Sequence, residues 1–314
     1  MAAPVGSIPT RSRQAGILRP ALVVLNPAAG RGRGRRQARD VIGALEASGF
    51  SCTVRETDRP GHERVLARDG AADGWETVIA AGGDGTVHGA ANGLLDAGRP
   101  NAALGVVPMG TGNDFAKIAG LAVGTGEAAR RLARAVVRRF DVGRVGAERF
   151  TNGCGIGFGP AVIQAMVNFP RLRGFPLYVA SVYQAFFRFT PPTVRLHSAE
   201  WTLDAPVTMV EVAIGTTAGG GFRLTPDARP DDGLLDVCVI RRIGALQFLR
   251  YVPRVMAGRH GALPPVHIFR TQQIRLTVPG VPLTAHLDGE LRTMSGDTIE
   301  IGIEPGRLPV LCAS

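Results

Sequence analysis

The chain is almost without lysine. Lys117 is the single one among 36 basic residues, so arginine carries nearly all of the positive charge. The common nucleotide loops are missing as well. No G-x-x-x-x-G-K-[ST] occurs, and Lys117 stands in the wrong context to serve one. The run Gly30-Arg31-Gly32-Arg33-Gly34 fails G-x-G-x-x-G, because Arg35 takes the place of the third glycine. A P-loop and a dinucleotide fingerprint are therefore excluded. Cysteine is scarce: Cys52, Cys154, Cys238 and Cys312 lie far apart and match no metal spacing. Six histidines form no HExxH cluster, which argues against structural zinc. The cysteine usage suits a reducing cytoplasm. No stretch approaches the roughly 18–20 uninterrupted apolar residues of a membrane span. The opening segment MAAPVGSIPTRSRQAG lacks the apolar centre of a secretory signal, and residues 1–18 read as a disordered leader.

What is present points to a two-domain protein. A chain of 314 residues has ample core for two domains, and 45% apolar with 20% charged residues fits an ordinary soluble protein. Net charge is +10, with clusters in "RGRGRRQAR" (31–39) and "ARRLARAVVRR" (129–139). Such charge suits nucleic acid, an anionic membrane surface or a polyphosphate ligand. No basic stripe alternates with aromatics, and no zinc finger or RNP-like motif occurs, so nucleic acid is set aside. A solvated helix face in an arginine-rich composition would account for much of the same charge.

The first half alternates between strand and helix patterns. Buried strands are expected at 21–27, 77–82 and 103–108, with an alternating strand at 51–57. Helical spacing covers 35–48, 62–72, 86–96, 113–120 and 125–138. This β-α-β-α order predicts a parallel sheet covered on both faces, an α/β nucleotide-binding domain over residues 19–145. The second half reads as two helices, near 159–168 and 176–188, and then short strands. Those strands fall at 193–197, 200–204, 207–214, 234–241, 267–278 and 297–303. An antiparallel β-sandwich over 146–303 is the expectation.

Three glycine turns follow predicted strands of the first domain: "NPAAGRGRG" (26–34), "GGDGTVHG" (82–89) and "PMGTGND" (108–114). Ligands of an open parallel sheet bind at this carboxyl edge. Each turn also opens a helix, whose free N–H groups attract anions. Three on one edge predict a phosphate-bearing ligand, held by backbone N–H groups, by Thr86 and Thr111, and by Arg31 or Arg33.

These segments, in this order and spacing, resemble the catalytic domain of diacylglycerol kinases, a superfamily that includes soluble bacterial lipid kinases, sphingosine kinases and ceramide kinases. The resemblance extends through "NGCGIGFGPAV" (152–162), "GGGFRLTPDARPDDGLLDV" (219–237) and "AHLDGE" (285–290), and spans about residues 20–310. GGDGT alone is shared with NAD kinases. GTGNDF and the late DGE make the match specific. The resemblance implies an α/β domain followed by a β-sandwich, with ATP and a lipid alcohol in the cleft between them. It also implies that 304–314 returns to the first domain.

The resemblance assigns Glu290 as general base and Asp84 to the ATP phosphates, the metal or the acceptor hydroxyl. From spacing alone, Asp288-Gly289 is a hairpin turn between strands 283–287 and 290–293, and Asp84 could cap helix 86–96. Asp232, with the Leu234 carbonyl, matches a Mg²⁺ site, with Asp231 as a competitor for the role. Asn26, Gly30, Thr57, Gly83, Asp84, Gly85, Thr86 and Thr111 match ATP-binding positions, while Asn113 and Asp114 shape the cleft or cap helix 113–120. In one respect the chain departs from the family: His88-Gly89 stands where relatives usually carry Asn-Glu. The implied activity is ATP- and Mg²⁺-dependent phosphorylation of diacylglycerol or a related lipid. The alternatives are a sphingosine- or ceramide-type lipid, a soluble alcohol, or an inactive binding module. The aromatic segment 175–192 reads as a core helix or an interfacial one. The arginine clusters predict weak peripheral attraction to anionic membranes.

Overall fold

The computed structural model describes residues 18–172 and 174–314; the side chains of Arg31, Arg33 and Phe175 are outside it. The expected leader (all but Leu18) and the side chains of the two candidate phosphate arginines therefore fall outside what is described.

Four parallel strands form the first layer: β1 (Arg19–Leu25), β2 (Phe50–Glu56), β3 (Thr77–Gly82) and β4 (Ala103–Pro108), in the order β4-β3-β1-β2. Residues Ala21–Leu25 are wholly buried, as an apolar run must be when helices cover both faces. The intervening helices are α1 (Ala29–Ala47), α2 (His62–Ala72) and α3 (Asp84–Ala97), followed by α4 (Asp114–Ile118) and α5 (Thr125–Ala133). Helix α3 can lie close against α2 because it is rich in glycine and alanine. A Cβ at Gly93 would run into the Arg64 carbonyl and stand 2.9 Å from Arg68 N.

The second half is largely antiparallel. One layer joins β14 (Glu290–Thr293), β13 (Thr284–Leu287), β7 (Gly153–Gly157), β9 (Thr202–Ala213), β10 (Leu235–Arg241) and β11 (Val266–Thr271). The other joins β8 (Thr193–His197), β12 (Gln273–Thr277), β15 (Thr298–Cys312), β5 (Val136–Val145) and β6 (Glu148–Phe150). A core including Ile156, Val210, Leu287, Leu196, Ile274 and Ile301 lies between them. The outer face of the layer that contains β9 and β10 is covered by α6 (Phe158–Ala165), α7 (Gly174–Arg188) and α8 (Ala245–Met256). The long β15 runs on to lie parallel to β4, at Val310 and Leu104, and so joins the two halves.

Several boundaries differ from the sequence pattern, each through tertiary pairing. The helix expected over 125–138 stops at Ala133. Val136 and Val137, β-branched, pair instead with Cys312 and Leu311. The strands expected at 200–204 and 207–214 are one strand, β9, which pairs with β8 before Pro206 and with β7 and β10 after it. The strand expected at 267–278 is two, β11 and β12, in different layers. Helix α8, unforeseen, contains Pro253 near its end. Helix α7 buries Val182 and Ala185 in the core it shares with the sheet, turns Leu177 to the cleft and leaves Phe187 exposed.

Candidate active site

The turns after β3 and β4 touch backbone to backbone. A Cβ at Gly110 would stand 2.6 Å from Gly83 Cα, so only glycine allows this approach. Gly83 is the N-cap of α3, and Asp84 is its first residue. The Asp84 carboxylate does not cap its own helix. It accepts the backbone N–H groups of Asn113 and Asp114, both at 2.7 Å, and so caps α4 across the cleft edge. Asn113 holds the left-handed conformation (φ 50) that lets the chain turn there. Burial first, and then the charge of Asp114, push the Asp84 carboxyl up to about 6, against the two amides that favour its charged form.

Beneath these turns, Asn26 donates from Nδ2 to Thr86 Oγ1 at 3.0 Å and accepts Ala28 N–H at 2.9 Å. Gly83, Asp84, Gly85 and Thr111 line an interdomain cleft of about 460 Å³. Asn26 and Thr86 support that wall from below. Gly30 is the second residue of α1, just past β1, and Thr57 lies on the loop after β2, where its N–H bonds to the Leu25 carbonyl at 2.9 Å.

The opposite wall is the hairpin of β13 and β14. Its two-residue turn has Asp288 at φ 51 and Gly289 at φ 91, a primed hairpin turn. Glu290 lies in the cleft, with Oε1 3.1 Å from where a Cβ of Gly85 would be. The hairpin thus brings Glu290 beside the Asp84 turn.

Asp288 is both a turn residue and a hub, and sequence reasoning found only the turn. Its buried carboxylate accepts Thr151 N–H (2.9 Å), Asn152 N–H (2.8 Å) and Gly153 N–H (3.0 Å), and meets His88 Nδ1 at 2.8 Å. Burial opposes charge on both partners. The pairing outweighs it, raising the His88 pKa and lowering that of Asp288. His88 is therefore a latch from α3 to the second half. Gly89 beside it is also explained. A Cβ there would run into the Glu63 side chain and stand 2.7 Å from Oε1, so the Glu63 side chain of α2 occupies the space that a side chain at position 89 would enter.

A second latch uses the lone lysine. Asp114 accepts Lys117 Nζ, Thr217 Oγ1 (both 2.8 Å) and Gly220 N–H (2.9 Å), and Lys117 also donates to the Gly220 carbonyl at 2.8 Å. The signal for it was GTGND followed by a lysine, without any hint of its distant partner.

Asp232 and Leu234 lie away from the cleft, on the turn before β10. Asp232 is exposed, and its Oδ1 accepts Leu234 N–H at 3.1 Å. Asp231 pairs with Arg138, and Asp141 accepts the N–H groups of Gly233 and Gly306. Among the described residues no group of three or more His, Cys, Asp or Glu is placed to hold a metal ion. One carboxylate and one carbonyl fit a largely hydrated Mg²⁺, which gives up its waters reluctantly.

Comparison with known proteins places the chain. Residues 20–145 match the diacylglycerol kinase catalytic domain, and residues 155–312 match the YegS C-terminal NAD kinase beta sandwich-like domain. A "Probable lipid kinase YegS-like" of Xanthomonas euvesicatoria is 31% identical over 288 residues, 88% of this chain and 92% of that protein. The protein of the same description from Pseudomonas fluorescens is 30% identical over 299 residues, covering 93% of this chain and 95% of its own. In fold, the chain is similar to a solved diacylglycerol kinase from Bacillus anthracis, with TM-score 0.73, 21% identity, and coverage of 94% of this chain and 96% of that one. Kinases of this catalytic domain use ATP. Among the described residues no helix is long and apolar enough to cross a membrane. The glycine turns, the two-half cleft and these matches together make the chain a member of the YegS-like lipid kinases of the diacylglycerol kinase catalytic-domain family.

Proposed function

We propose that the chain transfers the γ-phosphoryl group of ATP, with Mg²⁺, to a hydroxyl of diacylglycerol or a related lipid. The observation that carries the lipid reading is an apolar chamber opening from the cleft. Gly159 and Tyr178 line both spaces, and Phe158, Val162, Val182, Phe222, Phe248 and Val252 line the chamber. A soluble alcohol has no use for it. Its free volume of about 70 Å³ holds only a few methylene groups, so a long chain must part α7 from α8.

Phosphoryl transfer needs aligned phosphates, charge neutralisation and a proton acceptor. The backbone N–H groups of the turns at Gly83–Gly85 and Gly110–Gly112, with Asn26, Gly30, Thr57, Thr86 and Thr111 around them, hold the ATP phosphates. Asp84 fixes the α4 turn through its two amides and presents its remaining lone pairs to the cleft. Glu290 takes the proton of the acceptor hydroxyl as general base. Mg²⁺ would supply positive charge to the phosphates when bound, and Asp232 with the Leu234 carbonyl would hold a second Mg²⁺, remote from the chemistry. The exposed Leu246 and Leu249 of α8, flanked by exposed Arg242 and Arg250, give the chamber side of the molecule a face for anionic lipid.

The test is label transfer from radioactive ATP, with Mg²⁺, to diacylglycerol, sphingosine, ceramide and phosphatidylglycerol in detergent micelles. A labelled lipid that disappears with Glu290→Gln supports the proposal. ATP binding without any labelled lipid would mean a soluble acceptor or an inactive binding module.

A further inference from the structure

Beside the cleft lies a buried acid–histidine pair that phosphoryl transfer does not use. One row of residues crosses four strands: Cys238 on β10 lies beside Glu211 on β9, Glu211 beside Gly155 on β7, and Gly155 beside His286 on β13. Such neighbours project from the same face. Glu211 and His286 are two strands apart, a backbone separation of roughly 9–10 Å. They meet because Gly155 puts nothing between them. A Cβ there would collide with His286 Nε2 and stand 2.5 Å from Glu211 Oε2. Two more glycines clear the surroundings. A Cβ would stand 2.6 Å from Glu211 Oε1 at Gly153, and 2.9 Å from His286 at Gly159.

The pair is not self-sufficient. His286 Nε2 and Glu211 Oε2 are 3.4 Å apart, without the alignment of a hydrogen bond. Glu211 is 2% exposed and His286 7%. Glu211 Oε2 and His286 Nδ1 are buried with no hydrogen-bond partner. Buried polar atoms left unpaired are costly and rare, and these two lie at the cleft, one on a residue that lines it and the other directly behind. Burial works against charging His286, but Glu211 outweighs it and raises its pKa.

Position identifies the ligand. His286 lines the cleft two residues before Asp288 and four before Glu290. It also abuts Gly159, where the cleft meets the apolar chamber. The pair therefore stands between the site of phosphoryl transfer and the place of the alkyl chain. We propose that Glu211 and His286 form a subsite for a second hydrogen-bond donor of the acceptor lipid, a hydroxyl or an amine next to the hydroxyl that receives phosphate. Diacylglycerol offers only ester oxygens there. A monoacylglycerol offers a hydroxyl, and a long-chain amino alcohol offers an amine. This inference rests on the lipid-kinase reading.

The experiment compares 1-oleoylglycerol, sphingosine and 1,2-dioleoylglycerol as acceptors in one micelle system, for the native chain, Glu211→Gln and His286→Gln. The native chain should favour one of the two donor-bearing lipids over dioleoylglycerol by at least tenfold in kcat/KM. Which one is favoured tells hydroxyl from amine. Glu211→Gln should reduce that preference at least tenfold with the KM for ATP unchanged. A pair that is only structural would melt lower in this variant and keep its preference. His286→Gln should reduce the preference too. Equal use of the three lipids, or an unchanged preference in both variants, overturns the subsite. Calorimetric titration of the same micelles without ATP separates the two failures. If no lipid is ever labelled, the kinase reading fails. The subsite is then upheld by a Glu211-dependent binding preference and overturned by equal binding.

Discussion

The two walls of the cleft are built by opposite means. The first wall is backbone. Its turns touch at Gly83 and Gly110, Asp84 serves it by binding amides, and its helices begin where the turns end. The second wall is side chain: Asp288, Glu290 and His286 project from strands, with Glu211 buried behind His286, and glycines at 153, 155 and 159 make room for them. A wall of amides suits phosphate, which every ATP presents alike. A wall of side chains suits an acceptor that differs from one substrate to another. On the proposed reading, the catalytic groups are shared between the walls, while specificity resides in the second.

The sharpest way to break the comparison is Glu290→Gln, which leaves the first wall intact. The expected loss is about 10²–10⁴-fold in kcat, the usual worth of a general base, with ATP affinity preserved. Label transfer and equilibrium nucleotide binding read the two separately; retained turnover would remove Glu290 from its role. Next comes Asp288→Asn, which leaves His88 facing a neutral amide at the join of the walls. Breaking a buried pair from one side costs about 3–5 kcal/mol, and urea unfolding should show a loss of that order. Gly110→Ala attacks the first wall alone. The added methyl meets backbone, so a cost of about 1–3 kcal/mol is expected, with a tenfold or greater rise in the KM for ATP and little change in lipid preference.

pH provides gentler tests. An acid whose folded pKa lies above its unfolded value favours the fold while protonated. The Asp84 share of stability should therefore fade as pH rises from about 4 to about 6. Activity should move the other way, with an acid limb near 6 in kcat/KM, because only the carboxylate can hold two amides. His88 gives a different window. Its pKa is raised, so its contribution is complete below the unfolded value of 6.5 and is lost as pH climbs through the folded one. Thermal melts from pH 6 upward should show that loss in the native chain, and His88→Gln should flatten it. The smallest effect concerns membranes. Attraction of surface arginines to anionic vesicles is worth about 1 kcal/mol per residue near the surface, so binding should fall steeply with salt. Salt-insensitive binding would show that charge is not the cause.

Legibility followed the same division as the walls. The strands β1, β3 and β4 and the turns after them could be read from short stretches, because an apolar run followed by glycines is a local signal. The sequence pattern misjudged β5, whose Val136 and Val137 continue a helical spacing yet pair with the chain end. It also split β9 at Pro206, where the strand only changes partners. His88 stands out in the sequence as a departure from the family pattern, but its partner Asp288 is two hundred residues away. Glu63 could not be connected to Gly89 at all, since the link exists only where α2 crosses α3.

The sequence by itself determined the α/β order of the first half, the three glycine turns on one sheet edge and the DGE hairpin. Each depends on residues close together in the chain and on backbone conformations that few other residues permit. Only the tertiary structure decided which carboxylates face each other, which glycines clear space for a neighbouring strand's side chain, and that an apolar chamber opens behind the cleft. Those properties arise from register across strands and from the crossing of distant helices. Neither leaves a periodic mark along the chain.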